Sequence, residues 1–196
     1  FTLLWFIRDG DFKRAFGDEE FRNYVVYLTV AILAVFVALL ASGTSAGRAL
    51  RDSMFQVVSI GTSTGYTSTN YMDTSWPLVT HLIIFILMIV GASAGSTAGG
   101  LKLLRVTLAF KVAMRELVRI AQPRKIDRIR MNGEVVERQQ ISLIVGMLIV
   151  WIGLFGISSI LLAIFMPGDS FESITTLVAS SLGNTGPALG DYGPNN

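Results

Sequence analysis

The groups best placed to do chemistry in this chain of 196 residues are oxygens rather than titrating side chains. Thr62-Ser63-Thr64-Gly65-Tyr66 sets hydroxyl residues around one glycine. Gly183-Asn184-Thr185-Gly186-Pro187 returns the Thr-Gly pair 121 residues later. A monovalent cation stripped of water needs a ring of oxygens in exchange. Backbone carbonyls serve, because glycine lets the chain turn them to one side without steric conflict. Other chemistries lack their residues. There is no cysteine, which removes disulfides, zinc ribbons and thiol nucleophiles. One histidine, His81, is too few for a histidine-rich metal centre or a Ser-His-Asp triad.

A second constellation is Gly91-Ala92-Ser93-Ala94-Gly95-Ser96-Thr97-Ala98-Gly99-Gly100. Glycine costs about 1 kcal/mol per position in a helix interior relative to alanine. Four glycines in these ten residues therefore favour a break or a loop. The competing view is close helix packing, because Gly91, Gly95 and Gly99 keep small-xxx-small spacing. No Gly-Lys-Ser/Thr follows and Gly-x-Gly-x-x-Gly is absent, so a nucleotide site is not read here.

The elements that position these groups follow from where charge is missing. Only 15% of the residues are charged, against about 25% in an average soluble domain, and the mean hydropathy is +0.57. Uncharged runs cover Asn23–Gly47, Thr74–Leu101 and Gln139–Gly168. Such lengths cross a bilayer as helices, so a polytopic membrane protein is expected. The second run ends in the glycine constellation. Two further uncharged stretches, Ser53–Met72 and Ser173–Gly190, open as short helices and dissolve into Gly, Thr, Ser and Asn. Bare backbone of this kind is tolerated at membrane depth only when buried in protein or lining water. Each is read as a re-entrant segment, a short helix followed by an extended strand.

The order recurs: a spanning helix at about 22–44, a short helix at 50–60 and a strand at 61–66, then 141–166, 170–181 and 182–187. Repeats in membrane proteins place the working site where the units meet. A surface loop would explain either strand alone; the shared placement after a short helix argues against it. A helix is expected from Trp76, capped by Asp73, Thr74 or Ser75, with Pro77 in its first turn. The second unit lacks that helix, so a fold of this type is expected to continue past Asn196.

Of sixteen Lys and Arg residues, four lie in residues 1–22 and ten in residues 102–138. The positive-inside rule assigns both regions to the cytoplasm. The opposite side carries Arg48 and Arg51 against Asp52, Asp73, Asp169, Glu172 and Asp191. A modestly acidic mouth concentrates cations, although solvated loops read the same way. LKLLRVTLAFKVAMRELVRI is amphipathic, with Lys111, Arg115 and Arg119 on one face, and is expected to emerge into the cytoplasm as a solvated face. Asn132-Gly133 signals a two-residue hairpin. His81 is read as structural or interfacial rather than as a proton relay.

These residues resemble a known family. STGYTS (63–68), GASAGSTAGGLKLLR (91–105) and LGNTGPALG (182–190) are similar to motifs of the membrane subunit of the Trk/Ktr/HKT superfamily of potassium transporters, closest to the bacterial Trk type. Potassium-channel filters use Thr-Val-Gly-Tyr-Gly, of which the first strand keeps Thr, Gly and the aromatic. The resemblance covers most of the chain. It implies an all-α polytopic membrane protein built of helix–pore-loop–helix repeats as in potassium channels, with a broken second helix. It implies residues 1–22 as a cytoplasmic linker, 23–120 as a third repeat, 121–140 as a cytoplasmic hairpin and 141–196 as an incomplete fourth repeat.

By the same resemblance the filter glycines are Gly65 and Gly186, and potassium sits at Thr64, Gly65, Thr185 and Gly186. Thr62, Ser63, Tyr66, Gly183, Asn184 and Pro187 complete the filter strands. Residues Gly91 to Gly100 form an intramembrane gating loop. The chain would need no cofactor, with potassium as the transported ion. Its partners would be membrane lipid, a second copy in a homodimer, and a cytoplasmic ring of nucleotide-binding regulatory subunits; nucleic acid is not among them. The setting would be the inner cell membrane, crossed several times. A sodium- or ammonium-permeable relative is the alternative within the class. A non-conducting scaffold and a membrane enzyme are alternatives outside it. The enzyme is disfavoured, because no carboxylate lies inside a long apolar run.

Overall fold

The computed structural model describes residues 17–71, 76–96, 98–122, 129–132 and 134–193, with Glu134 and Asp191 described by backbone alone. The expected caps Asp73, Thr74 and Ser75, the loop residue Thr97 and the turn residue Gly133 lie outside them. The regular elements among the described residues are helices apart from one small hairpin.

Helix α1 spans Glu19–Ala41. It starts before the uncharged run because Asp18 caps it, its carboxylate accepting the Phe21 N–H at 3.0 Å. Glu19 and Glu20 follow in the first turn, where carboxylates offset the positive end of the helix dipole. Gly43, at φ +89°, ends it. Helix α2 covers Ala46–Gly61. Helix α3 is only Leu78–Val90, 13 residues long. Pro77 stands before this helix as its cap rather than inside its first turn. Helix α4 runs over Leu103–Ala121. So the second uncharged run is not one spanning helix: 91–96 and 98–102 are irregular chain between α3 and α4. Strands β1 (Arg130–Met131) and β2 (Glu134–Val135) pair antiparallel with Met131 opposite Glu134, the two-residue hairpin expected around Asn132. Helix α5 is Arg138–Phe165 and α6 is Phe171–Gly183, followed by a 3-10 turn at Gly190–Tyr192.

Two of these helices, α1 and α5, are long and apolar enough to cross a bilayer. None of the residues of α5 is buried, and exposed apolar side chains run along its length from Leu143 to Phe165, with Trp151 and Phe155 half-buried. A surface of that kind suits lipid rather than water. The core lies between α1, α2, α3 and α6, around Val35, Leu39, Val57, Ile60, Ile84 and Leu87. Helix α2 buries polar residues beside its core residues Val57 and Ile60. Asp52, Ser53, Gln56 and Ser59 are buried, while Leu50, Met54, Phe55 and Val58 face outward. The polar side of a short helix therefore points into the molecule, toward the strand that follows it.

Candidate functional site

Both strands leave their helices through the same turn. After α2 the Ser63 N–H donates to the Ile60 carbonyl at 2.9 Å and the Thr64 N–H to the Ser59 carbonyl at 2.8 Å. After α6 the Asn184 N–H donates to the Ser181 carbonyl at 3.3 Å and the Thr185 N–H to the Ser180 carbonyl at 2.9 Å. This is the Schellman pattern, which needs one left-handed residue. Ser63 at φ +55° and Asn184 at φ +50° supply it. Two residues on, Gly65 at φ +79° and Gly186 at φ +102° turn the backbone again.

The two strands meet. A Cβ placed on Gly65 would lie 2.1 Å from the Thr185 carbonyl oxygen and 3.3 Å from Pro187 Cδ. The Ser63 hydroxyl donates to the Gly183 carbonyl at 3.4 Å. Thr62 and Thr64 share a hydroxyl contact of 2.7 Å. The Ser59 hydroxyl donates to the Tyr66 carbonyl at 2.6 Å. That carbonyl is thereby committed to the helix, while the Tyr66 side chain is exposed. In the second strand Thr185 is buried, and its hydroxyl has no partner among the described residues. The outer end of that strand is held by Tyr71, whose hydroxyl donates to the Ala188 carbonyl at 3.1 Å. Thr176 holds it too, its hydroxyl oxygen accepting the Leu189 N–H at 3.0 Å.

The segment from Gly91 to Gly100 is a loop with a closed neck. Leu101 N–H donates to the Ile89 carbonyl at 3.0 Å, and Leu103 N–H to the Ala92 carbonyl at 3.1 Å. A Cβ on Gly91 would meet the Gly99 oxygen at 2.6 Å. The packing alternative for Gly91, Gly95 and Gly99 fails as stated, because the segment is not helical. Close approach is nonetheless the role of Gly99, but its neighbour is the end of α6. A Cβ there would fall 2.6 Å from the Gly183 carbonyl carbon. The Gly100 N–H donates to the Leu182 carbonyl at 3.2 Å. The loop is thus pinned directly under the start of the second strand. Ala92 and Ala98 are buried, Ser93 and Ser96 close a turn, and Ala94 and Gly95 form the exposed tip.

One end of the molecule gathers the start of α1, α4 and the hairpin. Glu19 pairs with Lys111 of α4 and accepts the Asn132 N–H at 3.1 Å. Glu20 accepts the Ala94 N–H at 2.6 Å. Lys111 is therefore a partnered group rather than a solvated one. At the opposite end the acids are largely engaged. Asp52 pairs with Arg51 at 2.8 Å, Asp169 accepts from the Tyr192 hydroxyl at 2.7 Å, and Glu172 faces His81 at 3.4 Å. His81 also contacts the Tyr71 carbonyl at 2.8 Å, the structural placement its position implied. A cleft of about 680 Å³ at that end, between Ser42, Arg48, Asp52 and Trp76, lies apart from the strands.

Sequence reasoning did not single out Ser59, Tyr71 or Glu20. Ser59 and Ser180 share the 121-residue offset of the strands, a signal that was available. Asp18-Glu19-Glu20 before an apolar run is a helix-start pattern. Tyr71 carried no local signal, since its partner is 117 residues away.

The family described as TrkH, cation transport protein, matches residues 23–195. The Trk system potassium uptake protein TrkH of Vibrio parahaemolyticus serotype O3:K6 is 32% identical over 181 residues, covering 91% of this chain and 36% of that protein. The protein of the same name from Escherichia coli strain K12 is 32% identical over 176 residues, covering 88% and 35%. The crystal structure of the potassium transporter TrkH from Vibrio parahaemolyticus superposes with a TM-score of 0.81 at 30% identity, over 89% of this chain and 37% of that one. The chain thus spans about a third of the length of these relatives. With the family matched from residue 23 to residue 195 and the fold shared, the chain belongs to the TrkH family of cation transport proteins.

Proposed function

We propose that this chain supplies two strands of a potassium-selective filter and the loop that gates it, within a channel-like uptake pore. The observation that carries this is the meeting of the strands at Gly65 and Thr185. Two Thr-Gly segments, each launched from a short helix by the same turn, bring backbone carbonyls together. A dehydrated cation needs that kind of oxygen surface. The carbonyls of Thr64, Gly65, Thr185 and Gly186 are assigned to the ion. The short helices α2 and α6 end at the strands, where the negative end of a helix dipole favours a cation. The relatives named as potassium uptake proteins support potassium as the ion.

The loop 91–100 is assigned the gate because it is pinned beneath the second strand through Gly99 and Gly100. On this assignment 23–120 and 141–196 are the third and fourth repeats of a four-repeat pore in the inner cell membrane. A homodimer and a cytoplasmic ring of nucleotide-binding subunits, acting at the α4–hairpin end, complete the assembly. The test is rubidium and sodium flux through the whole transporter in liposomes. Gly65→Ser places a side chain against the Thr185 carbonyl, and is expected to lower potassium-over-sodium discrimination by about ten-fold or more. Unaltered discrimination with intact flux overturns the filter assignment. Sodium or ammonium flux above that of rubidium favours the permeable-relative alternative, and absence of any flux favours a scaffold.

A further inference from the structure

The first turn of α1 touches the loop and the cytoplasmic hairpin through two consecutive carboxylates. Glu20 Oε1 accepts the Ala94 N–H at 2.6 Å, at the tip of the loop. Glu19 points the other way. Its carboxylate takes Lys111 Nζ of α4 and the Asn132 N–H at 3.1 Å. Its own N–H donates to Asn132 Oδ1 at 2.7 Å. Lys111 Nζ also donates to the Arg130 carbonyl of β1 at 3.0 Å. Asp18, one residue earlier, caps the helix and lies 3.4 Å from Asn132 Nδ2. The ties from residues 18–20 to the loop, α4 and the hairpin span 74 to 114 residues of sequence, so local chain geometry does not impose them.

The loop has two kinds of attachment. Its neck is held by main-chain bonds to α3 and α6. Within the loop and its exit, Lys102 Nζ donates to the Ser96 carbonyl at 2.6 Å, which shapes the loop without tying it to another element. The tip reaches α1 through Glu20. We propose that Glu20 is the positioning residue of the gate: its carboxylate holds the tip at Ala94 in the obstructing position, and Glu19 makes that hold answer to the hairpin and α4. A displacement of the hairpin acts first on Asn132 and Glu19. It then shifts the start of α1, and the Ala94–Glu20 bond lengthens and releases the tip. A carboxylate acceptor is suited to this, because a bond to it is stronger than a neutral one yet directional, and it is gone once donor and acceptor part by about 1 Å.

The inference rests on the gate assignment above, and the experiment separates the two. Rubidium flux is measured in liposomes for the whole transporter without cytoplasmic subunits. Five forms are compared: unmodified, shortened within 91–100, Glu20→Ala, Glu20→Ala with the shortened loop, and Glu20→Gln. Loop shortening is expected to raise flux. Glu20→Ala is expected to raise it by about five-fold, the scale of one charge-assisted bond at a partly exposed site. In the shortened loop Glu20→Ala is expected to add nothing, because the tip it holds is gone. Glu20→Gln keeps an accepting oxygen and is expected to give an intermediate rise; it decides the question where Glu20→Ala does not accumulate. A merely structural role for Glu20 would lower flux and stability together, with an effect that persists in the shortened loop. Raised flux on shortening with unchanged or lowered flux in both Glu20 variants overturns the role of Glu20 alone. Unchanged flux on shortening overturns the gate assignment and this inference with it.

Discussion

The strands at 62–66 and 183–187 follow the same path on different supports. Each begins with a Schellman turn, a left-handed residue and a positive-φ glycine at matching offsets. Beyond that they diverge. Gly65 is hemmed in by the Thr185 carbonyl, whereas nothing described lies within 4 Å of a Cβ on Gly186. Thr64 has a hydroxyl partner in Thr62, whereas the buried hydroxyl of Thr185 has none among the described residues. The first strand is tied at Tyr66 by a serine of its own helix. The second is tied at Ala188 by Tyr71 from the other unit. What the two strands keep in common is backbone conformation, and what they vary is side-chain support. That division fits a site whose ligands are carbonyls.

The largest expected contrast is at the glycines. Gly65→Ala combines an unfavourable φ with a backbone clash and, like Gly65→Ser, is expected to lower rubidium uptake and its discrimination over sodium by about ten-fold or more. Gly186→Ala meets only the φ penalty, about 1–3 kcal/mol, and is expected to retain measurable uptake. Equal loss at both positions would break the contrast and mean that Gly186 is hemmed in as well.

The next contrast is in the ties. Tyr71→Phe removes the bond to Ala188 while keeping the edge-on packing of this ring against Trp76, and Ser59→Ala removes the bond to Tyr66. Each is expected to destabilise by about 1–2 kcal/mol, read as a lower midpoint in detergent unfolding. Both are expected to reduce ion discrimination before total flux. A change in flux with unchanged discrimination would show that these ties support folding alone.

The smallest effect is expected at the turns. Ser63→Gly relieves a left-handed residue and is expected to stabilise by up to about 1 kcal/mol. Asn184→Gly is expected to change little, since asparagine already tolerates that region. A larger gain at Asn184 than at Ser63 would reverse the ranking of the two turns.

Much of this architecture was legible from residue order. Long uncharged runs gave α1 and α5, because charge is costly in the middle of a lipid-facing helix and is confined here to the first turns. Glycine density gave the break after Val90, because each glycine weakens a helix locally. The paired Thr-Gly strands were visible because both turns are short-range. The neighbours of these segments were less legible. That Gly99 packs on Gly183, or that Glu20 reaches Ala94, depends on helices folding together from distant sequence. Charge reasoning also misjudged Lys111. Period-four spacing describes a face, and only the fold shows that this face meets the acidic start of α1.

The closed neck of the loop has a kinetic consequence. Three main-chain bonds anchor it, from Leu101 to Ile89, Leu103 to Ala92 and Gly100 to Leu182. With its ends fixed, the tip can swing without α3 or α4 unwinding by even one turn. Loop motions of that size run over nanoseconds to microseconds, while helix rearrangements take microseconds to milliseconds. Single-pore current records are therefore expected to show rapid flicker nested inside slower bursts, one process belonging to the tip and the other to the helices that carry it.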